Sequence, residues 1–248
     1  MTLLPVTPLE NAVRVEAAVA HLMDAARGRP VFLVDGDHTL SPDDTSRTFL
    51  RAAGLDPLPI KQRFQRDGYV FEAFRFHAEI HMALGEAAFD RLADVVARDA
   101  PLHPGAVAFL RAASARGLVC VVSSGIPRVW RAILALHGVD DVPVIGGIDP
   151  AAPYVFGRHE KALVARRFRS VATTIIGVGD SDVDTELLHL AHHAVVVVNH
   201  RRNIDLLPHL TDHRSVWQVA PRGDPHPGLR VLDFAALHTL AQEDVPCR

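Results

Sequence analysis

Lysine is scarce in this chain, cysteine occurs only twice, and no apolar run is longer than a strand. Each shortage removes a class of protein. Cys120 lies inside an apolar run and Cys247 at the tail, so no disulfide framework is indicated and a reducing, cytoplasmic compartment is expected. A membrane helix needs roughly 20 consecutive apolar residues, which the chain lacks. Met1 to Arg27 has neither the basic start nor the apolar middle of a signal peptide. A formal net charge of −3 offers no basic surface for nucleic acid. No internal repeat or low-complexity tract is evident. What remains is a chain of 248 residues, 48% apolar, long enough for one substantial core and a small second module.

Chemistry-bearing residues recur at the ends of the apolar runs. Val31-Phe32-Leu33-Val34 leads straight into Asp35-Gly36-Asp37-His38-Thr39, two carboxylates one residue apart at a strand's C-terminal end. Ligands of open α/β sheets bind at that edge. Leu118-Val119-Cys120-Val121-Val122 reads as a buried strand ending in Ser123-Ser124-Gly125. Lys161 falls early in a helical stretch from Arg158 to Phe168. Thr174-Ile175-Ile176-Gly177-Val178 then delivers Gly179-Asp180-Ser181-Asp182-Val183-Asp184. The acids and the hydroxyls suggest a metal or a phosphoryl group.

Asp-x-Asp, Ser, Lys and Gly-Asp-x-x-x-Asp, in that order, resemble the haloacid dehalogenase-like superfamily of phosphohydrolases, and within it the phosphoserine-phosphatase-like branch. The likeness spans Val31 to about Val198, and the four motifs together are far more specific than any one of them. It implies Asp35 as a nucleophile that forms an aspartyl-phosphate and Asp37 as the general acid and base. It implies Mg²⁺ held by Asp35, the backbone carbonyl of Asp37 and Asp180, with Asp184 supporting the site from behind. Ser123, Ser124 and Lys161 would cradle the phosphate. Asp44 stands where phosphoserine phosphatases carry an acid that contacts the substrate amine.

Each assignment has a plainer rival. Ser123-Ser124-Gly125 could cap the helix that Pro127 begins. Lys161 could be one more solvated lysine. The acids from Asp180 to Asp184 could complement a helix dipole, a reading that suits Asp182 better than Asp180, and Asp44 could be an ordinary first-turn acid. Two departures from the family pattern stand out. His38 replaces a small residue, placing an imidazole near the mouth of the site, against substrate or in solvent. Gly36 replaces a bulky residue between the two acids, where glycine loosens the turn.

The alternation of strands and helices predicts a Rossmann-like α/β core, a mainly parallel sheet covered on both faces, over residues 1–40 and 101–248. Within it, residues 1–28 form an N-terminal helix extension from Pro8 to Arg27, capped by Thr7, with Glu10 completing a capping box and Gly28 ending it. Core helices are expected from Pro104 to Arg116 and Pro127 to His137. Short strands are expected at Val142 to Ile145 and Tyr154 to Phe156 around a turn from Gly146 to Pro153, with a further buried strand at Ala194 to Val198, an edge strand at Ser215 to Val219, and a closing helix from Leu232 to Ala241. Residues 221–228 read as a surface loop.

Residues 41–100 read as a small all-helical insertion after the first strand, and resemble the family's cap. Three helices are expected there: one from Ser41 to Gly54, one from about Ile60 to Leu84, and one from Glu86 to Arg98. Phe49, Phe64, Phe71, Phe74, Phe76 and Phe89 concentrate in this segment and should mostly form its own core. His77 and His81 share a helix face but lack the further ligands a zinc site needs. Arg63, Arg66 and Arg75 are candidates for an anionic substrate group.

The expected function is hydrolysis of a small phosphorylated metabolite by a Mg²⁺-dependent phosphatase, with no nucleic-acid or membrane partner; the pattern leaves oligomeric state open. Phosphoryl transfer to an acceptor other than water, and a non-catalytic phosphate-binding or regulatory protein, are the alternatives. Dehalogenase relatives lack the second aspartate, which this chain keeps.

Overall fold

Alternating apolar runs and helices build a single parallel sheet. The computed structural model describes residues 4–151, 154–199 and 206–243; Cys247 and part of the turn before Tyr154 lie outside them. The strands are β1 (Pro30–Val34), β2 (Leu118–Ser123), β3 (Val144–Gly146), β4 (Thr174–Gly179), β5 (His193–Val197), β6 (Val216–Val219) and β7 (Arg230–Val231). Their order is β3-β2-β1-β4-β5-β6-β7, every neighbouring pair parallel. The inner strands are near-continuous Val, Ile and Leu because helices cover both of their faces.

Successive side chains of β1 divide the core in two. Phe32 and Val34 enter one apolar cluster, Val31 and Leu33 the other. The first cluster is roofed by α7 (Ala106–Ser114), α8 (Pro127–Leu136) and a 3₁₀ turn over Phe234–Gln242. The second lies under α1 (Pro8–Ala20), α2 (Met23–Ala26), α9 (Arg158–Arg169) and α10 (Thr185–Leu190). No helix among the described residues is long and apolar enough to cross a membrane.

Strand order reverses beside β1. From β1 the chain moves outward through β2 and β3, then returns to β4 on the opposite side. The loops leaving β1 and β4 therefore part at a topological switch point, the crevice where sheets of this kind hold ligands. Val34 pairs with Val178, and Asp35 N–H continues the ladder to Val178 O at 2.9 Å. Register alone thus sets Asp35 next to Asp180.

Four helices separate β1 from α7: α3 (Thr45–Ala52), α4 (Leu58–Asp67), α5 (Phe71–Met82) and α6 (Glu86–Asp99). The sequence predicted three. The long middle helix is broken at Gly68, whose φ of +74° ends α4 before Phe71 opens α5. Phe49 and Phe89 pack at 4.7 Å and belong to the main core, so α3 and α6 extend that core instead of enclosing a separate one. Arg128 of α8 bonds Glu86 and Asp90 of α6 as well as Asp149.

Other expectations shift in detail. The N-terminal helix stops at Ala20 and resumes as the short α2. Thr7 Oγ1 accepts from Glu10 N–H at 3.2 Å, but Glu10 reaches back to Val6 N–H at 3.1 Å, one residue beyond a standard box. Tyr154 to Phe156 is not a strand: Val155 spends its backbone groups on Asn11. The strand at Val216–Val219 is interior, because β7 pairs along its outer side. The closing helix is 3₁₀. Buried Gln218 holds the 221–228 loop, donating to His226 O at 2.7 Å and Leu229 O at 3.1 Å and accepting from His226 N–H at 2.7 Å.

Candidate active site

The carboxylates that the sequence separates by about 145 residues meet at the sheet's C-terminal edge. Oxygens of Asp35, Asp180 and Asp184 all lie within 4.8 Å of one another, and all three side chains are buried. Lys161, 1% exposed, reaches them from the first turn of α9. Its ammonium lies 2.7 Å from Asp35 Oδ1 and 2.7 Å from Asp184 Oδ1. Such a lysine is no solvated surface charge; it offsets two of three converging anions.

Asp184 is saturated by donors. Its second oxygen accepts from Asp180 N–H at 3.1 Å and Ser181 N–H at 3.3 Å. Asp180 Oδ1 accepts from Thr39 Oγ1 at 3.2 Å. Asp182 points to solvent. Burial raises Asp180 well above the ordinary carboxylate range, with the charges of Asp184 and Asp35 adding to it. An all-oxygen, anion-rich cluster of this kind suits a small hard cation such as Mg²⁺.

Asp35 and Asp37 sit in different surroundings. Burial pushes Asp35 up to about 7 against the opposing Lys161 ammonium. Burial likewise pushes Asp37 up to about 7, with the charge of Asp44 acting in the same direction and the Thr45 hydrogen bonds against it. Asp37 Oδ1 accepts from Thr45 N–H at 3.0 Å and from Thr45 Oγ1 at 2.6 Å. Thr45 opens α3, so its N–H is one of the donors a helix start leaves without an internal partner. Asp44 is the N-cap of that helix, accepting from Arg47 N–H at 2.8 Å. The plainer reading of Asp44 is therefore present in the structure, close enough to Asp37 to influence it electrostatically.

Ser123, Asp37 and a residue that the motifs did not point to, Ser46, gather around Gly125. A Cβ added there would fall 2.6 Å from Asp37 Oδ2, 2.8 Å from Ser46 Oγ and 3.1 Å from Ser123 Oγ. Ser123 Oγ accepts from Gly125 N–H at 3.0 Å. The hydroxyls of Ser46 and Ser124 are buried with no hydrogen-bond partner. Buried hydroxyls normally find partners, so two unpaired ones at this edge suit an oxygen-rich ligand.

His38 adopts φ +59°, the one non-glycine residue in the left-handed region among those described. Its Nδ1 lies 3.0 Å from Pro42 O and its carbonyl accepts from Asn199 Nδ2, so the ring lies along its own loop. Strain of that kind is retained where surrounding bonds over-determine it.

Gly36 does not loosen the turn. The Trp130 indole lies against it, so that a Cβ would fall 2.3 Å from the ring. The bulk that the family carries between its two acids is here supplied from α8. Gly36→Ala should therefore cost about 1–3 kcal/mol by overpacking and lower activity, because the loop carrying both acids must move. Urea denaturation checks this, and Trp130→Leu in the same chain should restore part of the loss.

The arginines proposed for an anionic substrate are engaged. Arg63 and Arg66 pair with Asp67, at 2.6 Å and 2.7 Å, and Arg75 with Glu79 at 3.0 Å. His81 Nδ1 lies 2.9 Å from His77 O and Nε2 3.2 Å from Ser46 O, which ties α5 to α3. Phe71 and Phe74 of α5 pack on Val155, in the segment leading into α9, and on Val183, in the loop after Asp180.

A doubly wound sheet with two aspartates leaving β1, a serine ending β2, a buried lysine and a second acidic loop after β4 defines a hydrolase of the haloacid dehalogenase type. The family model for haloacid dehalogenase-like hydrolases matches residues 32–189, and the chain belongs to that family. No curated protein sequence matches the chain.

Among solved structures, the fold is similar to that of a protein of unknown function from Bordetella pertussis Tohama I (20% identity, TM-score 0.61, 84% of this chain and 99% of that one). It is similar to a HAD family hydrolase from Salmonella enterica serovar Typhi (18% identity, TM-score 0.52, covering 79% and 74%). A phosphoserine phosphatase holding an analogue of its phospho-aspartyl intermediate also matches (16% identity, TM-score 0.53, covering 73% and 91%). At these identities the likeness is one of fold.

Proposed function

We propose that the chain is a Mg²⁺-dependent phosphatase that hydrolyses a small phosphomonoester through an aspartyl-phosphate on Asp35. The observation carrying this reading is the contrast between two nearby acids: Asp35 has a lysine ammonium at 2.7 Å, whereas Asp37 sits under the influence of the Asp44 charge. In this reading Asp37 carries the proton that the leaving oxygen needs, and the Lys161 ammonium favours the ionised form of Asp35.

Asp35 attacks phosphorus while the bond to the leaving oxygen breaks and Asp37 donates its proton to that oxygen. Asp37, now a base, takes a proton from water, whose oxygen attacks the aspartyl-phosphate; orthophosphate leaves and both acids return to their starting states. The Lys161 ammonium, the Ser123 and Ser124 hydroxyls and nearby backbone N–H groups hold the phosphoryl oxygens. Asp35, Asp180 and the Asp37 carbonyl would hold Mg²⁺, which when bound offsets the repulsion between carboxylate and phosphate.

Residues 41–100 act as the cap in this reading, closing the site through Phe71 and Phe74. The pairing of Arg63, Arg66 and Arg75 within the cap argues against a role for these three in holding a substrate carboxylate. Asp44, the N-cap of α3, and His38, bonded to Pro42 O, border the loop that carries Asp37 and would contact the leaving group in this reading. The enzyme would work in the cytoplasm, in keeping with its cysteine usage.

The test is orthophosphate release from a panel of small phosphomonoesters, with Mg²⁺, with EDTA and with an added alcohol acceptor. Metal-dependent release, abolished by EDTA and restored by Mg²⁺, is expected. Release that persists in EDTA would remove the metal. Ester formation on the added alcohol without orthophosphate release would replace hydrolysis with phosphoryl transfer.

A further inference from the structure

Helix α1 lies outside residues 32–189, which the family model matches, yet its buried face touches the segment that carries Lys161. Asn11 is completely buried. Its amide nitrogen donates to Val155 O at 2.9 Å and to Glu160 Oε1 at 2.8 Å, and its oxygen accepts from Val155 N–H at 2.7 Å. The other Glu160 oxygen accepts from Gly157 N–H at 3.0 Å. One carboxylate thus closes the start of α9 and grips α1. Asparagine is a poor residue for a helix interior, and a buried amide is tolerated only when its groups are paired.

Lys161 follows Glu160 directly, and its own N–H bonds Gly157 O at 3.0 Å. An ammonium has three donors. Asp35 and Asp184 take two of them, which leaves the third for a phosphoryl oxygen. The direction of that third donor depends on where the first turn of α9 stands relative to the two acids. Val155, Gly157 and Glu160, which set that turn, are all held directly or through one bond by Asn11.

We propose that Asn11 is a positioning residue for phosphate binding, acting through Glu160 and the 155–157 segment on the Lys161 ammonium. The N-terminal helix is then part of the catalytic apparatus. This inference rests on the phosphatase reading of the site.

The experiment measures orthophosphate affinity by calorimetry on the Mg²⁺-loaded full chain, together with KM, kcat and the thermal midpoint, for wild type, Asn11→Ala, Glu160→Gln and Lys161→Gln, and for Asn11→Ala combined with Lys161→Gln. Asn11→Ala should weaken phosphate binding and raise KM about tenfold, as supports of ligating groups commonly do. In the Lys161→Gln background the same change should add little, because the two residues act as one unit. Glu160→Gln, which keeps the side-chain size, should show a smaller loss of the same kind and decides the matter if Asn11→Ala does not fold.

A purely structural Asn11 would lower the thermal midpoint and the folded fraction, hence apparent kcat, while leaving KM and phosphate affinity unchanged in both variants. That result, or equal losses with and without Lys161, would overturn the proposal. Wild type that neither binds orthophosphate nor releases it from esters would instead overturn the phosphatase reading, and this inference with it.

Discussion

Asp35→Asn is expected to abolish turnover, with a loss of about 10⁴-fold or more, the scale seen when a covalent nucleophile is removed. Asparagine keeps the shape of the side chain and an oxygen that can still accept from Lys161, now at 2.7 Å from Asp35 Oδ1. Its amide nitrogen cannot attack phosphorus. Folding should survive, because burial already pushes this carboxyl up to about 7 and the substitution removes one anion from a cluster of three. Lys161 still has Asp184. The readouts are steady-state orthophosphate release and the thermal midpoint of the purified variant. A folded variant with full turnover would exclude the aspartyl-phosphate.

The second large effect should come from Asp37→Asn, a loss of about 10²–10⁴-fold on alkyl phosphates, the usual contribution of a general acid–base group. An activated aryl ester, whose leaving group needs no proton, separates the two half-reactions. The variant should release the aryl group in a burst and then stall, because the water that attacks the aspartyl-phosphate has lost its base. The pH profile carries the same assignment. Asp37 must be protonated for the first step and its pKa is raised to about 7, so kcat/KM for alkyl esters should fall as pH rises above about 7. Asp35 must be ionised, so the rate should also fall as pH drops, and bound Mg²⁺ would move that limb downward. In Asp37→Asn the fall at high pH should disappear while the fall at low pH persists. An unchanged alkaline limb would assign the acid role elsewhere.

The features that can be read along the chain are those with local causes. β1, β2, β4 and β5 are apolar runs of strand length, and their alternation with helices implied the parallel sheet. Asp35, Asp37, Ser123, Lys161 and Asp180 were visible because each stands directly beyond such a run or at a helix start, where backbone direction alone aims a side chain at the sheet's edge. The misjudged elements depend on distant partners. Tyr154 to Phe156 has strand-like composition, but Asn11, 144 residues away from Val155, takes the bonds a ladder would need. Val216–Val219 looked like an edge until the two residues of β7, too few to show a pattern, paired outside it.

The same division runs through the site. Thr45 had a local signal, since it follows an acid that caps a helix, but its role as the clamp on Asp37 needs the chain to turn back on itself after β1. Ser46 carries no motif and becomes notable only because its hydroxyl is buried and unpaired beside Gly125. Gly36 was legible as an anomaly and illegible as a consequence, because its cause is Trp130, 94 positions later.

By itself the sequence determined the main run of strands and helices and the family motifs at their ends, because strand and helix periodicities and the ends of apolar runs are set by neighbours in the chain. Tertiary structure alone decided what each side chain of those motifs touches. Lys161 meets Asp35 at 2.7 Å and Thr45 meets Asp37 at 2.6 Å only because the folded chain brings them together in a buried site. Electrostatic and packing energies fall off with distance in space, and distance along the chain says nothing about them.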